Sequence, residues 1–101
     1  MSEAAQLAFD AGRMRVSGVV DFTTVVPLEQ QGADWLRDEA PQRCQLDLGG
    51  VSRCNSAGTA LLLSWLRTAR GAGKDLDIEN APDALRGMML LAGLEDVLPA
   101  A

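Results

Sequence analysis

The strongest constraint on the fold of this chain is an alternation of two hydrophobic patterns. Segments with apolar residues at every second position are separated by longer stretches whose apolar residues fall three and four apart, the spacings of strand and helix. The clearest strand is RCQLDLGGV, residues 43–51, where Cys44, Leu46 and Leu48 alternate with Gln45 and Asp47 until a glycine pair breaks the pattern. RMRVSGVVDF, residues 13–22, sets Met14 and Val16 against Arg13, Arg15 and Ser17, and a weaker strand over residues 7–9 precedes it. KDLDIENAP, residues 74–82, gives a further strand with Leu76 and Ile78 inward.

Helices fill the intervals. TTVVPLEQQGADWLRDEA carries Val25, Leu28, Ala33, Trp35 and Leu36 as its apolar side, with Thr23 or Thr24 as cap, Pro27 tolerable near the start and Gly32 as an interior weakness. A second helix runs from about Ser56 to Arg70 and stops at GAG, residues 71–73, where glycine supplies a left-handed terminal residue. GAGK lacks the spacing of a phosphate-binding loop and closes a helix where such a loop would open one, so it is read as a helix end. Asp83 caps a last helix over residues 84–94, and Val97 and Leu98 form an apolar tail. Together these predict an α/β fold, a mixed sheet of four or five strands flanked by helices, as one domain over residues 1–101.

Composition narrows the function. A net charge of −5 leaves no basic surplus to displace counterions from phosphate, which argues against nucleic acid as a partner. The chain has no histidine, so the usual base of serine and cysteine hydrolases and the commonest transition-metal ligand are both missing. Cys44 and Cys54 stand ten positions apart with no metal or dithiol motif, and read as small apolar core residues. No metal, cofactor or catalytic activity is expected. The N-terminal residues do not resemble a secretory signal and no stretch is apolar enough to span a bilayer, so the domain is expected in the cytoplasm, reaching a membrane only through another protein.

The second helix carries one apolar residue too many. At about 100° per residue, Leu61, Leu62, Trp65, Leu66 and Ala69 share an arc that can face a sheet, while Ser64, Arg67 and Thr68 lie opposite. Leu63 falls among the polar residues. Ser56, Thr59, Ala60, Leu63 and Arg67 are spaced by three and four and form one surface stripe, a candidate docking strip, although a lone exposed leucine is ordinary on a protein surface. The methionines of MMLLAGL, Met88 and Met89, read first as core, with a docking role as the alternative.

Asn55 is a strong helix cap and Ser56 is comfortable in the first turn, which accounts for both residues without chemistry. A nucleophilic serine would need a base that is not at hand. A phosphoacceptor role is coherent, because negative charge at a helix N-terminus meets the positive end of the dipole. Cap and switch both stand on the local sequence.

LDLGGV, SRCNSAG, TALLLSWLRTARGAGKDLDI and LRGMMLLAGLEDVLP together resemble the STAS domains, the sulfate-transporter and anti-sigma-factor-antagonist family, over about residues 13–99. VSRCNSAGTALLL and the ending GLEDVLP are most similar to its MlaB-like branch, the STAS subunits of bacterial phospholipid ABC transporters. The resemblance implies a partner ATPase subunit, contacted through the N-terminal end of the second helix at Asn55, Ser56, Thr59, Ala60, Leu63 and Arg67. It also implies an alternative, an anti-sigma-factor antagonist phosphorylated at Ser56 by an anti-sigma factor kinase. Antagonists usually carry aspartate where this chain has Asn55.

Overall fold

The computed structural model describes residues 4–93. The element order is β1 Gln6–Asp10, β2 Arg13–Val20, α1 Val25–Asp38, β3 Arg43–Cys54, α2 Ser56–Gly71, β4 Asp75–Glu79 and α3 Asp83–Leu91. The four strands lie side by side in chain order, β1 antiparallel to β2, and β2, β3 and β4 mutually parallel. Two parallel pairs need crossovers, and α1 and α2 are the segments that make them.

One contiguous core joins Met14, Val16 and Val20 of β2, Cys44, Leu46 and Leu48 of β3, and Ile78 of β4 to residues from all three helices. Since successive strand residues face opposite sides, the helices must all cover the same face of the sheet. The other face is polar and bears cross-strand ion pairs: Arg13 with Glu79 at 3.2 Å, Arg15 with Asp47 at 3.8 Å and Arg43 with Asp77 at 3.9 Å. At this exposure each contributes at most about 1 kcal/mol.

The glycine pair does not end β3. The strand continues through Gly49 and Gly50 to Cys54, and its pairing with β2 slips twice, between Arg15 and Ser17 and again between Gly18 and Val19. At each slip β3 spends one residue more than β2, pairing Asp47 and then Gly50 with Arg15 and Ser17, and Val51 and then Arg53 with Gly18 and Val19. The first slip moves the inward position from Leu48 to Val51 and the second returns it to Cys54, both of which pack on the core. Gly50 fits here for a steric reason, because a Cβ would lie 2.9 Å from that of Ser17 and 3.1 Å from the Val16 carbonyl oxygen.

Two helix starts differ from expectation. Thr24 holds the cap position of α1 without capping it, since its hydroxyl donates to the Val19 carbonyl at 2.9 Å and accepts from the Asp21 amide at 3.0 Å. Asp83 is the first residue of α3 and Pro82 precedes it, with no side-chain cap bond. The helix ends at Leu91, short of the expected residue 94, with Gly93 at φ +74° just beyond it, while Leu94 and the tail residues Val97 and Leu98 lie outside the described residues. The α2 terminus forms as expected: Gly73 takes φ +72°, and the amides of Gly73 and Lys74 bond to the carbonyls of Arg70 and Ala69 at 3.1 and 2.8 Å.

Gly32 is the packing point of α1 on α2. A Cβ there would sit 2.4 Å from the Trp65 indole, which is 1% exposed and donates through Nε1 to the Glu29 carbonyl at 3.1 Å. Ser64, expected on the outward polar arc, instead faces α1 and bonds Glu29 Oε2 at 3.2 Å. The surface α2 leaves open is therefore narrower than its sequence implies.

Candidate functional site: the open side of the second helix

The parallel strands β2 and β3 end together, Val20 paired with Cys54, and the Asn55 amide bonds back to the Val20 carbonyl at 3.2 Å. Helices α1 and α2 thus both begin at this end of the sheet. Asn55 has extended backbone and its side-chain oxygen accepts from the Ala57 amide at 2.8 Å, the capping bond its residue type favours. With the cap supplied by Asn55, the Ser56 hydroxyl is left exposed at the first helical position. No acidic residue lies in the first turn of α2, so the positive end of the helix dipole is unopposed there.

From that end the stripe runs along α2. Ser56, Ala60 and Arg67 are exposed, and Asn55 is exposed beside them. Thr59 and Leu63 are half-buried, because they form one wall of a shallow apolar groove whose other wall is Met88, Leu91 and Ala92 at the end of α3. Thr59 Oγ1 is buried without a hydrogen-bond partner. Arg67 Nε bonds the Leu63 carbonyl at 3.4 Å. Leu63 belongs to the groove and not to the core cluster, whereas Leu62, one residue earlier, is 2% exposed within it. Of the two methionines, Met89 is fully buried and Met88 lines the groove.

Leu90 and Leu91 of MMLLAGL, read with the methionines first as core, are instead exposed, Leu90 at 61%, and sequence reasoning overlooked Phe22 and Val26 altogether as surface groups. Leu91 is 91% exposed, Phe22 67% and Val26 69%. The sequence reads Phe22 as the aromatic end of a strand; β2 stops at Val20, and Phe22 stands in the turn that leads to α1. The signal available was Asp-Phe-Thr-Thr, whose acid and hydroxyls are turn formers.

The chemistry of the site is that of contact. The chain's one lysine, Lys74, follows the far end of the 16-residue α2, about 24 Å from Ser56 at 1.5 Å per residue, and donates to the Ala40 carbonyl. A serine–lysine pair is excluded by that separation. Burial pushes the thiols of Cys44 and Cys54 up, away from the reactive thiolate. An apolar cavity bounded by Val20, Cys54, Gly58 and Leu85 measures about 20 Å³, the room of a single water. Among the described residues no cluster of three or more Asp, Glu or Cys could hold a metal ion, and no helix is long and apolar enough to cross a membrane.

Comparison with known proteins places this geometry. The chain is 19% identical to the anti-sigma factor antagonist SpoIIAA in its unphosphorylated form, with TM-score 0.75 over 97% of this chain and 88% of that one. An anti-sigma factor antagonist from Mycobacterium paratuberculosis gives 25% identity and TM-score 0.76 over 97% and 84%. A sulfate transporter family protein from Wolinella succinogenes gives 18% identity and TM-score 0.66 over 91% and 75%. No curated protein sequence matches. The family model described as Mlab, STAS domain, matches residues 3–99. The chain therefore belongs to the STAS domain family, in its MlaB-like branch.

Proposed function

We propose that this chain is a non-catalytic subunit that binds the ATPase of a lipid-transport, Mla-type ABC transporter and supports its assembly or activity. It acts as a single domain in the cytoplasm and is held at the inner-membrane face by that partner. The docking surface is the open side of α2, with Ser56 as a small polar contact at its centre and Asn55, Thr59, Ala60, Leu63 and Arg67 around it. The observation that carries the reading is the match of the MlaB-type family model across residues 3–99, together with the exposed stripe on α2.

Leu63→Asp tests the surface. The variant should fold, because Leu63 lies outside the core cluster, and should lose capture of the purified ATPase subunit, since binding would desolvate an unpaired carboxylate. Normal capture by a well-folded Leu63→Asp protein would remove the stripe from the interface.

A second reading has its own support, in the similarity to SpoIIAA, known in a phosphorylated as well as an unphosphorylated form. There the chain would be an antagonist captured by an anti-sigma factor kinase and switched at Ser56, whose exposed hydroxyl sits where the helix dipole favours added negative charge. Incubation with that kinase and ATP, followed by intact-mass measurement, separates the two. The transporter reading expects no phosphate on Ser56; stoichiometric phosphorylation lost in Ser56→Ala would replace it with the switch.

A further inference from the structure

We infer that the turn between β2 and α1 is the second half of the docking face, with Phe22 as its aromatic anchor and Val26 beside it, and that its occupant is the same ATPase subunit that meets α2. This inference rests on the docking reading above and extends it to residues on a different element.

Three observations carry it. Phe22 and Val26 are large apolar side chains left mostly in solvent, on a described surface where few others are. They are contiguous with the stripe: Val20 pairs with Cys54, so Phe22 and Ser56 each stand two residues beyond a paired position at the same end of the sheet. A hollow lined by Asp21, Arg53 and Asn55 joins the turn to the cap of α2.

The turn itself is braced. Asp21 Oδ1 accepts from the Thr23 amide at 2.8 Å and from the Thr23 hydroxyl at 2.6 Å, and the Asp21 carbonyl accepts from the amides of Thr24 and Val25 at 3.1 and 3.0 Å. The Thr24 hydroxyl ties the same turn to Val19. Phe22 is therefore presented from a backbone that is already ordered, which lowers the entropy lost on docking, and buried aromatics dominate interface energies. The hydrogen bonds from Thr23 also hold the Asp21 carboxyl below its ordinary range, so a fixed negative charge flanks the anchor. Asp21 and the exposed Arg53 line the same hollow, so charges of both signs stand beside the anchor, which fits a protein partner with a complementary polar rim and an apolar recess over Phe22. The net charge of −5 opposes a second copy of this chain, and a lipid surface of one sign does not match the mixed charge of the hollow.

The test measures binding of the full chain to the purified ATPase subunit of the source organism's Mla-type transporter, for wild type, Phe22→Ala and Leu63→Asp. Phe22→Ala should keep the wild-type thermal transition and weaken binding about thirtyfold or more, the loss expected of an interface anchor. If Leu63→Asp loses binding while Phe22→Ala binds as wild type, the inference fails and the α2 docking surface stands. If wild type does not bind the ATPase at all, the docking reading fails and takes the inference with it. Two controls address other occupants: wild-type self-association in sedimentation abolished by Phe22→Ala, or wild-type binding to phosphatidylglycerol vesicles abolished by Phe22→Ala, would each overturn the assignment to the ATPase.

Discussion

Leu62→Asp should leave the domain without a cooperative thermal transition, while Leu63→Asp, one residue along, melts close to wild type. Leu62 is 2% exposed in the same core cluster as Val16, Leu46, Leu48 and Trp65, whose indole N–H is already taken by the Glu29 carbonyl. Burying an unpaired charge belongs to the small class of changes that cost more than about 4 kcal/mol. Domains of this size hold only about 5–15 kcal/mol in total, so most or all of the stability goes. Circular dichroism on both variants reads the result. A native-like melt for Leu62→Asp would mean that α2 does not present this side to the sheet, and the placement of the docking stripe would go with it.

Gly32→Ala should be the most damaging of the mild substitutions. On an isolated helix the change would stabilise by about 1 kcal/mol. Here the added methyl meets the Trp65 ring at 2.4 Å, and that ring cannot retreat, being buried and tied by Nε1 to the Glu29 carbonyl. Overpacking of this kind costs about 1–3 kcal/mol, enough to reverse the sign and lower Tm by several degrees. A double-mutant cycle isolates the cause: in a Trp65→Leu background, where the ring is gone, Gly32→Ala should become neutral or stabilising. An equal loss in both backgrounds would show that the indole is not what requires the glycine.

That glycine shows where the sequence stops being informative. The periodicities of β2, α2 and β4 place their inward residues correctly because each element packs one regular face on one core. Gly32 looks like a defect on the same reasoning, since nothing local reveals that an indole 33 positions later lies against it. The double slip of β3 is hidden for a similar reason: alternation is legible only while pairing stays in step, and Gly49, Gly50 and Val51 change step in answer to β2. Capping chemistry was legible at Asn55, which has one task, and not at Thr24, whose hydroxyl is taken up by Val19 and Asp21. The α2 stripe is written in spacing alone and so could be read. Its groove and the neighbouring Phe22 depend on where α3 and the β2 turn come to rest, and spacing says nothing of that.

The paired slips of β3 set a constraint of another kind on the docking surface. Because each reverses the facing of the strand and together they restore it, the number of residues between Leu48 and Asn55 determines which way the serine end of α2 is aimed. Side chains on the exposed part of that stretch, such as Ser52 and Arg53, can vary with little consequence for the fold. Removal of a single residue there would swap inside for outside in everything that follows as far as the helix, so the length of this segment, together with the glycine at 50, fixes the aim of the helix that follows.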